Sequence, residues 1–390
     1  MIPYGRQTIS QADIDIVEQV LKSDFLTQGP MVPRFESVVA DDCKVKYAIA
    51  VNSATSALHI ACLALGVETG DIVWTSPNSF VASSNCALYC GATVDFVDID
   101  ERTYNLSAIK LEEKLENAKK IGKLPKVLIP VHFSGQPAEM EKIHSLSQEY
   151  GFKIIEDASH AIGGKYKNEP IGNCRYSDIT IFSFHPVKII TTGEGGMALT
   201  NDDDLYAKMY RLRSHGITRD VAQMSSDPDG PWYYEQLELG YNYRMTDILA
   251  ALGVSQHKRL HEFIEKRHAL AKRYNELLSD KPVTLPWQHP DSYSAFHLYV
   301  VLLDLEKLKN SQTQIFERFR NAGILVNLHY IPIYRQPYYQ KMGFKREDFP
   351  NMEKYYSMAI SLPIYPTLTD VQQVEVVNTL MTPIGHQTLF

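Results

Sequence analysis

From about residue 34 to residue 244, segments of strand character alternate with segments of helical character, and few folds accommodate this order. The expected strands lie at residues 48–51, 71–74, 93–97, 127–131, 153–156, 179–184 and 197–200. The expected helices lie at residues 56–65, 81–89, 107–120, 138–149 and 203–213. This alternation predicts an α/β domain, built on a mostly parallel seven-stranded sheet with helices on both faces. Neither GxGxxG after the first strand nor a GxxxxGKS or GxxxxGKT motif occurs, which argues against dinucleotide and P-loop sites.

A single lysine follows the sixth of these strands. Residues 178–184, DITIFSF, carry β-branched and aromatic side chains, and Lys188 comes four residues later, ahead of the glycine-rich stretch at residues 193–196. Most lysines are simply exposed on loops. In open α/β sheets, however, strand ends facing glycine-rich loops are where ligands bind, because the backbone can approach them closely. This position therefore predicts an amine in a ligand site.

Two other segments supply partners for such an amine. Asp157 directly follows the strand at residues 153–156, so it ends at the same edge of a parallel sheet. The first strand turns at residues 52–55, including Ala54 and Thr55, into a helix whose free N–H groups can hold an anion. Three groups together can hold pyridoxal phosphate (PLP). They are a lysine that bonds to its aldehyde, a carboxylate that keeps its pyridine nitrogen protonated and a cradle for its phosphate. The residues therefore predict PLP as the cofactor.

Six motifs spread along nearly the whole chain carry a family resemblance. They are residues 24–30 (DFLTQGP), 52–58 (NSATSAL), 156–161 (EDASHA), 183–188 (SFHPVK), 193–196 (GEGG) and 240–247 (GYNYRMTD). In this order they resemble the DegT/DnrJ/StrS group of sugar aminotransferases, which are fold-type I PLP enzymes. The resemblance implies a large PLP-binding domain and a smaller α+β C-terminal domain.

The expected domain organisation has four parts. Residues 1–33 form an N-terminal segment that packs on the small domain, and residues 34–244 form the large domain. Residues 245–279 are strongly helical and form one long connecting helix, and residues 280–390 form the small domain. No internal repeat or low-complexity tract interrupts this organisation.

The resemblance also assigns roles at the site. Lys188 and Asp157 are the expected catalytic residues, and both bind the cofactor together with Ala54, Thr55, Phe80, His160, Ser183, Asn242 and Arg244. Asn242 and Arg244 are expected to reach the phosphate of a neighbouring subunit, which implies a homodimer with shared sites. From residue type alone, Phe80 reads better as a core anchor, and Ser183 can be a buried hydroxyl satisfied by its own backbone.

The expected substrate-binding residues are more dispersed. They are Gln28, Gly29, His132, Glu194, His329, Tyr330 and Tyr334, with Gln136 as a further pocket candidate. A satisfied structural histidine is an equally good interpretation of His132, and residues 25–30 can be a plain linker. Many relatives carry a histidine where Tyr334 stands, so its role is open.

The resemblance implies transamination of a 4-keto-6-deoxy sugar nucleotide, with UDP as the nucleotide and glutamate as the amino donor. Open alternatives within the fold are another keto sugar nucleotide, amination at C-3, or a sugar 3-dehydratase, although the latter carries a histidine in place of the lysine. A non-catalytic regulator that binds PLP or sugar, and a plain nucleotide-binding module, are the alternatives from other classes.

Composition excludes several partners. The net charge of −7 and the absence of a basic run argue against nucleic acid and membrane surfaces as partners. The first residues lack the apolar core of a signal peptide and no segment is long enough to span a membrane, which predicts a cytoplasmic protein. The five cysteines show no metal-ligand spacing, so no metal site is expected, and they read as small apolar packing residues.

Overall fold

The computed structural model describes residues 1–382. Its α-helices are α1 (Gln11–Leu21), α2 (Met31–Cys43), α3 (Ala54–Ala64), α4 (Ala82–Tyr89), α5 (Ala108–Lys120), α6 (Met140–Tyr150), α7 (Asp203–Leu212), α8 (Asp247–His257), α9 (Leu260–Leu278), α10 (Leu305–Leu308), α11 (Gln312–Asn321), α12 (Pro337–Gln340), α13 (Pro350–Met358) and α14 (Asp370–Met381). Short 3₁₀ turns lie at Phe133–Gly135, Val221–Gln223, Ile333–Arg335 and Arg346–Asp348. None of the helices in residues 1–382 combines the length and the apolar character that crossing a membrane requires.

The β-strands are two to five residues long. They are β1 (Ile2–Pro3), β2 (Tyr47–Val51), β3 (Ile72–Thr75), β4 (Thr93–Phe96), β5 (Val127–Ile129), β6 (Lys153–Asp157), β7 (Lys165–Tyr166), β8 (Glu169–Pro170), β9 (Ile179–Ser183), β10 (Gly196–Thr200), β11 (Ile217–Thr218), β12 (Glu235–Gln236), β13 (Val283–Thr284), β14 (Ser292–Tyr293), β15 (Tyr299–Leu303), β16 (Ile324–Leu325) and β17 (Ala359–Leu362).

The central sheet has seven strands in the order β2-β10-β9-β6-β5-β3-β4. Neighbouring strands from β9 to β4 are parallel, and β10 is antiparallel to both β9 and β2, so six strands point the same way. The predicted mostly parallel seven-stranded α/β sheet is thereby confirmed. All seven expected segments form its strands.

Alternation along the strands builds a separate core on each face of the sheet. In β9, Ile181 packs into the core under helix α3, while Phe182 packs into the opposite core with Phe35 of helix α2. Successive residues of a strand point to opposite faces, so one buried strand contributes to both cores. This covering on both faces leaves the strand ends as the exposed part of the sheet.

The pairing register brings four strand ends to one edge. Asp157 of β6 is level with Ile181 of β9, Ser183 of β9 is opposite Gly196 of β10, and Gly196 is opposite Val51 of β2. Gly196 also touches the start of helix α3, where an added Cβ would lie 2.4 Å from the backbone nitrogen of Ala54. A larger residue there would push the helix start away, so this edge is built around close backbone contact.

The N-terminal segment divides between the two domains. Strand β1 pairs with β16 in the small domain, but helix α1 packs on α8 of the large domain, unlike the expectation for residues 1–33. Buried Asp13 of α1 explains the difference, because its carboxylate accepts hydrogen bonds from Gln256 at 2.8 Å and from Arg259 at 2.5 Å. This buried polar contact fixes α1 beside the end of α8.

The connecting helix predicted for residues 245–279 is two helices. The chain leaves helical geometry between His257 and Leu260, where Arg259 turns its guanidinium toward Asp13. Helix α8 is then covered by α1 and α2, while the second half of α9 contributes Leu270 and Tyr274 to the core of the small domain. Because of this break, α8 packs in the large domain while the second half of α9 packs in the core of the small domain.

The small domain is built on the antiparallel sheet β13-β15-β17. Helices α11 and α14 and the end of α9 cover it, and its core includes Tyr299, Ile315, Phe319 and Ile360. The prediction for residues 280–390 extends past this region, since residues 383–390 lie outside the described part of the chain.

Candidate active site

Lys188 lies in a tight turn just beyond β9. Its backbone N–H donates to the carbonyl of His185 at 2.9 Å, and its side chain is largely shielded from solvent. Burial lowers the pKa of Lys188 to about 8, while the negative charge of Asp157 acts in the opposite direction. An amine with such a pKa is partly neutral at physiological pH, so it can act as a nucleophile or as a base.

Asp157 is the second strand-end group, and it is 5% exposed. Its Oδ2 accepts from the hydroxyl of Ser83 at 2.6 Å, and its Oδ1 accepts from the backbone N–H of Ser159 at 3.2 Å. Ser83 in turn contacts the Ser79 hydroxyl at 2.7 Å. These hydrogen bonds fix the direction of the carboxylate. Nothing in the spacing of the two serines separates them from ordinary helix residues, so the sequence does not point to them.

The start of helix α3 forms a cradle of backbone donors. Ser53 caps the helix by accepting from the N–H of Ser56, which leaves the N–H groups of Ala54 and Thr55 without a partner inside the helix. The positive end of the helix dipole points the same way. Ser183 lies beside this cradle, because its pairing partner Gly196 packs directly on Ala54.

His160 forms one wall of the site together with Tyr330 from the small domain. Its Nδ1 accepts from the backbone N–H of Ser134 at 3.3 Å, so its Nε2 carries the proton and donates to the Tyr330 hydroxyl at 3.0 Å. Burial and the nearby charge of Lys188 hold the pKa of His160 well below its ordinary value. The imidazole is therefore neutral, and the Tyr330 proton remains free to be donated to a ligand.

Two more imidazoles are close to Lys188. His329 contacts Ser361 through Nδ1 at 2.8 Å, and burial, with a smaller effect of Lys188, lowers its pKa to about 3. His297, which no sequence motif marks, has its ring centroid 4.3 Å from that of His160. Its pKa is held far below the ordinary value, mainly by burial. These three imidazoles are thus neutral and add no positive charge near Lys188.

Phe80 lies between β3 and α4 and is 61% exposed. The interpretation of this residue as a core anchor is wrong. An aromatic ring that remains exposed at the strand-end edge, three residues before Ser83, is available to stack on a flat ligand.

Two of the expected substrate ligands, His132 and Tyr334, are structural instead. His132 is fully buried, accepts from the Ala138 N–H through Nδ1 and contacts the Glu156 carboxylate through Nε2 at 2.6 Å. Glu156 precedes Asp157 in β6, so its side chain points to the opposite face of the sheet. Tyr334 is 1% exposed, stacks on Phe349 and donates to Glu353 at 2.8 Å. Both side chains are enclosed and hydrogen-bonded within the fold, so neither is exposed to a substrate.

Gln136, the further pocket candidate, is likewise committed to the fold. Its amide nitrogen donates to the carbonyl of Trp287 at 3.0 Å, and its amide oxygen accepts from the N–H of His289 at 2.6 Å. The side chain therefore holds residues 287–289 against the large domain.

Two loops border the site, and they are joined to each other. Gln28 and Gly29 lie in the first loop, and the backbone N–H groups of Gly29 and Met31 both donate to the buried carboxylate of Asp247 at 2.7 Å. Gly29 is required there, because an added Cβ would lie 2.4 Å from the Cβ of Phe25. The sequence does not reveal this clamp, because an aspartate at a helix start is ordinarily interpreted as a capping residue.

The second loop contains Asn242 and Arg244. Asn242 is exposed, while Arg244 donates to the Ser214 hydroxyl at 2.9 Å and pairs through its backbone with Val51. Glu194 is exposed in the glycine-rich turn, where its carbonyl accepts from the hydroxyl of Thr192. These three side chains stand at the rim of the site.

The residues at this edge fit PLP. The cofactor requires an amine that can be neutral, a fixed carboxylate, an anion cradle and an aromatic or imidazole surface for its ring. Lys188, Asp157, the first turn of α3, and Phe80 with His160 supply these four groups at one edge of the sheet. Within residues 1–382, no group of histidine, cysteine and carboxylate side chains has the geometry to hold a metal ion.

Comparison with known proteins agrees with this geometry. The sequence profile of the DegT/DnrJ/EryC1/StrS aminotransferase family matches residues 7–381. The UDP-4-amino-4,6-dideoxy-N-acetyl-beta-L-altrosamine transaminase of Campylobacter jejuni is 38% identical over 367 residues, which cover 94% of this chain and 93% of that protein.

Solved structures show the same relationship. PseC of Helicobacter pylori, an aminotransferase of pseudaminic acid biosynthesis, superimposes with a TM-score of 0.87 at 31% identity, covering 97% of this chain and 98% of that one. The PLP form of Spr1654 from Streptococcus pneumoniae superimposes with a TM-score of 0.86 at 26% identity, covering 97% of each chain. The chain therefore belongs to the DegT/DnrJ/EryC1/StrS aminotransferase family and is a PLP-dependent sugar aminotransferase.

Proposed function

We propose that the enzyme transfers an amino group from glutamate to the 4-keto group of UDP-2-acetamido-2,6-dideoxy-4-keto-hexose, which gives a UDP-4-amino-4,6-dideoxy sugar. The name of the Campylobacter relative and the pathway of the Helicobacter enzyme support this sugar class. The product would then serve pseudaminic acid biosynthesis. The observation that carries the proposal is the partly neutral amine of Lys188 beside the fixed carboxylate of Asp157.

When bound, PLP supplies the electron sink that stabilises a carbanion at the carbon losing its proton. We assign Asp157 to the pyridine nitrogen, where a carboxylate favours the protonated form. Ser83 and the Ser159 N–H hold that carboxylate in one direction, so no reorientation is needed during turnover. Ala54, Thr55 and Ser183 are assigned to the phosphate, and Phe80 and His160 to the ring.

Lys188 acts as general base and general acid for the proton of the reacting carbon. Its pKa of about 8 suits this role, because a base works best when its pKa lies near the working pH. Burial sets that value, and the surrounding neutral imidazoles keep the pocket free of further positive charge. Tyr330 donates its free hydroxyl proton to the sugar, since its oxygen already accepts from His160.

We also propose a homodimer in which each site is completed by the partner. Asn242 is exposed on a single chain, and the loop that carries it ends beside the cradle strand β2. In this arrangement Asn242 and Arg244 bind the phosphate across the interface, while Gln28, Gly29, Glu194 and His329 border the substrate. A monomeric variant would then bind PLP weakly.

The test is product analysis with the purified enzyme, PLP, glutamate and the 4-keto sugar nucleotide. NMR of the product should show nitrogen at C-4, and Lys188→Ala should lower turnover by at least about 10³-fold. Lys272→Ala, which removes an exposed lysine of α9, is the matched control and should keep full activity. Amination at C-3, or turnover only with a different nucleotide, would replace the proposed substrate, and full activity of Lys188→Ala would refute the mechanism.

A further inference from the structure

The loop between β3 and α4 begins with four buried residues, 76–79, although loops ordinarily run over the surface. They directly precede the exposed Phe80. The side chains of Asn78 and Ser79 are polar and enclosed. Because a buried polar side chain ordinarily has its hydrogen bonds made, the partners of these two residues show what the loop holds in place.

Ser79 is the first member of a hydroxyl chain that ends at Asp157. The Oγ atoms of Ser79 and Ser83 are 2.7 Å apart, and the Ser83 hydroxyl donates to Oδ2 of Asp157 at 2.6 Å. A serine hydroxyl has one proton to donate, and an ionised carboxylate only accepts. Since Ser83 donates its proton to Asp157, the proton between the two serines comes from Ser79. The chain therefore runs in one direction, and each hydrogen bond polarises the next.

Asn78 is bonded to the small domain instead. Its Oδ1 accepts from the backbone N–H of Tyr330 at 3.2 Å, and its Nδ2 donates to the carbonyl of Tyr104 at 3.2 Å. The carbonyl of Pro77 accepts from the N–H of Ile333 at 3.1 Å. Residue 330 lies outside the helices and strands, so no helix or strand ladder holds its backbone. The loop therefore fixes the segment that carries the Tyr330 hydroxyl.

We propose that Asn78 and Ser79 are positioning residues for opposite sides of the active site. Ser79 holds the carboxylate of Asp157 in its direction by way of Ser83. Asn78 holds the hydroxyl of Tyr330 in its place by way of the backbone. Both assignments rest on the proposed function, which places Asp157 at the cofactor and Tyr330 at the sugar. Each residue is enclosed and acts through its partner, so neither is itself a catalytic residue.

A loop with a purely structural role would respond differently to substitution. Loss of a buried hydrogen bond lowers stability wherever the bond lies. Loss of a positioning contact changes one binding constant and leaves the other as it was. Asn78 and Ser79 are adjacent in sequence and both enclosed, so a difference between their variants reflects their different partners rather than their burial.

The first experiment titrates the apoenzyme with PLP and needs no sugar. Ser79→Ala should raise the Kd for PLP by about threefold to tenfold, because the chain to the carboxylate loses its first donor. In the Asp157→Asn background the same change should alter Kd by less than about twofold, since the charge that the chain supports is absent. Ser84→Ala is the matched control. Ser84 is also enclosed in α4, but its hydroxyl bonds to Val81 and Tyr339, so Kd should stay unchanged.

The second experiment measures steady-state kinetics with saturating PLP and glutamate. Asn78→Ala should raise KM for the 4-keto sugar nucleotide by about threefold to tenfold and leave the Kd for PLP unchanged. Combined with Tyr330→Phe it should add less than about twofold, because the hydroxyl that it positions is already absent. Asn351→Ala is the matched control and should keep KM. Asn351 joins the two domains through a hydrogen bond to the carbonyl of Ile99 at 2.9 Å.

Two further variants serve where alanine prevents folding. Asn78→Ser keeps a polar group in the loop, but its hydroxyl is too short to reach the Tyr330 N–H, so the same rise in KM is expected. Ser79→Cys keeps the size of the side chain and weakens its donor, so the Kd for PLP should rise as it does for Ser79→Ala.

The outcomes separate this proposal from the proposed function. Equal changes in Kd and KM for the variants of Asn78 and Ser79, or additive effects in the double variants, would overturn the positioning roles. A raised KM in Tyr330→Phe beside an unchanged KM in Asn78→Ala would overturn the role of Asn78 alone. An unchanged KM in Tyr330→Phe would refute the role that the proposed function gives to Tyr330, and with it the role of Asn78. The PLP titration would still decide the role of Ser79.

Discussion

The two sides of the active site are built in different ways. On the sheet side, Asp157 and Ser183 occupy strand ends that the pairing register brings to one edge, and Lys188 lies in the turn just beyond β9. On the small-domain side, Tyr330 and Tyr334 are only four residues apart. The first hydroxyl meets His160 at the site, and the second donates to Glu353 inside the small domain.

The difference shows what fixes a functional residue in each region. At a strand end, the order of the strands in the sheet sets the position of a side chain. The alternation of side chains along the strand sets the face to which it points, as Glu156 and Asp157 show. In an irregular segment neither rule applies, and tertiary contacts such as the stack of Tyr334 on Phe349 decide which side chain turns inward. Predictions at strand ends should therefore survive testing better than predictions in loops.

The adjacent carboxylates of β6 give the strongest test. Asp157→Asn should lower kcat by roughly 10²-fold or more, because it removes the charge assigned to the pyridine nitrogen. It should hardly affect thermal stability, since Ser83 can still donate to the amide oxygen. Glu156→Gln should have the opposite effects. It should lower the free energy of unfolding by about 1–3 kcal/mol and leave kcat of the folded enzyme unchanged.

The physical reason for the second effect is that Glu156 is buried on the other face and holds His132 and Ser177. Steady-state kinetics and thermal denaturation on both variants check the pair. If Glu156→Gln lowers kcat as much as Asp157→Asn does, then the idea that one face of the sheet serves catalysis and the other serves stability is wrong.

The pH dependence of PLP attachment tests the coupling between the two strand ends. With a pKa of about 8, the neutral fraction of Lys188 rises about tenfold from pH 7 to pH 9 and then levels off. The rate at which apoenzyme forms its PLP absorbance band should follow this curve. A lysine with the ordinary pKa of about 10.4 would make the rate rise about 100-fold over the same interval, without a plateau.

Asp157→Asn sharpens this measurement, because the charge of Asp157 raises the pKa of Lys188. Its removal should move the midpoint to lower pH. An unchanged midpoint would mean that the two groups do not interact.

The same division between the sheet and the irregular segments separates what the sequence predicts from what it does not. Strand order, the parallel sheet and the placing of Lys188 beside Asp157 were predictable, because short-range patterns and strand ends determine them. The roles expected of His132 and Tyr334 failed, since burial and hydrogen-bond partners from distant segments cannot be read from neighbouring residues. The Asp247 clamp depends on contacts with Gly29 and Met31, which lie 218 and 216 residues away in sequence.

The two tyrosines extend the comparison to the small domain. Tyr330→Phe removes the hydroxyl proposed to donate to the sugar and should raise KM for the sugar nucleotide by about threefold to tenfold. Tyr334→Phe should leave kinetics unchanged and lower stability by about 1 kcal/mol, because its hydroxyl serves only Glu353. Kinetics that respond to Tyr334→Phe would restore that residue to the substrate site.

Phe80 gives the smallest expected effect and the sharpest distinction between a packing residue and a ligand-binding one. A side chain that is 61% exposed contributes little to the core, so Phe80→Leu should change stability by less than about 0.5 kcal/mol. Loss of aromatic stacking costs about 0.5–1 kcal/mol, which raises the Kd for PLP by about twofold to fivefold. Equilibrium titration of the apoenzyme with PLP measures this directly. Tyr89→Leu, which removes another aromatic that is 54% exposed, is the matched control, and an equal rise in Kd there would show that Phe80 has no direct contact with the cofactor.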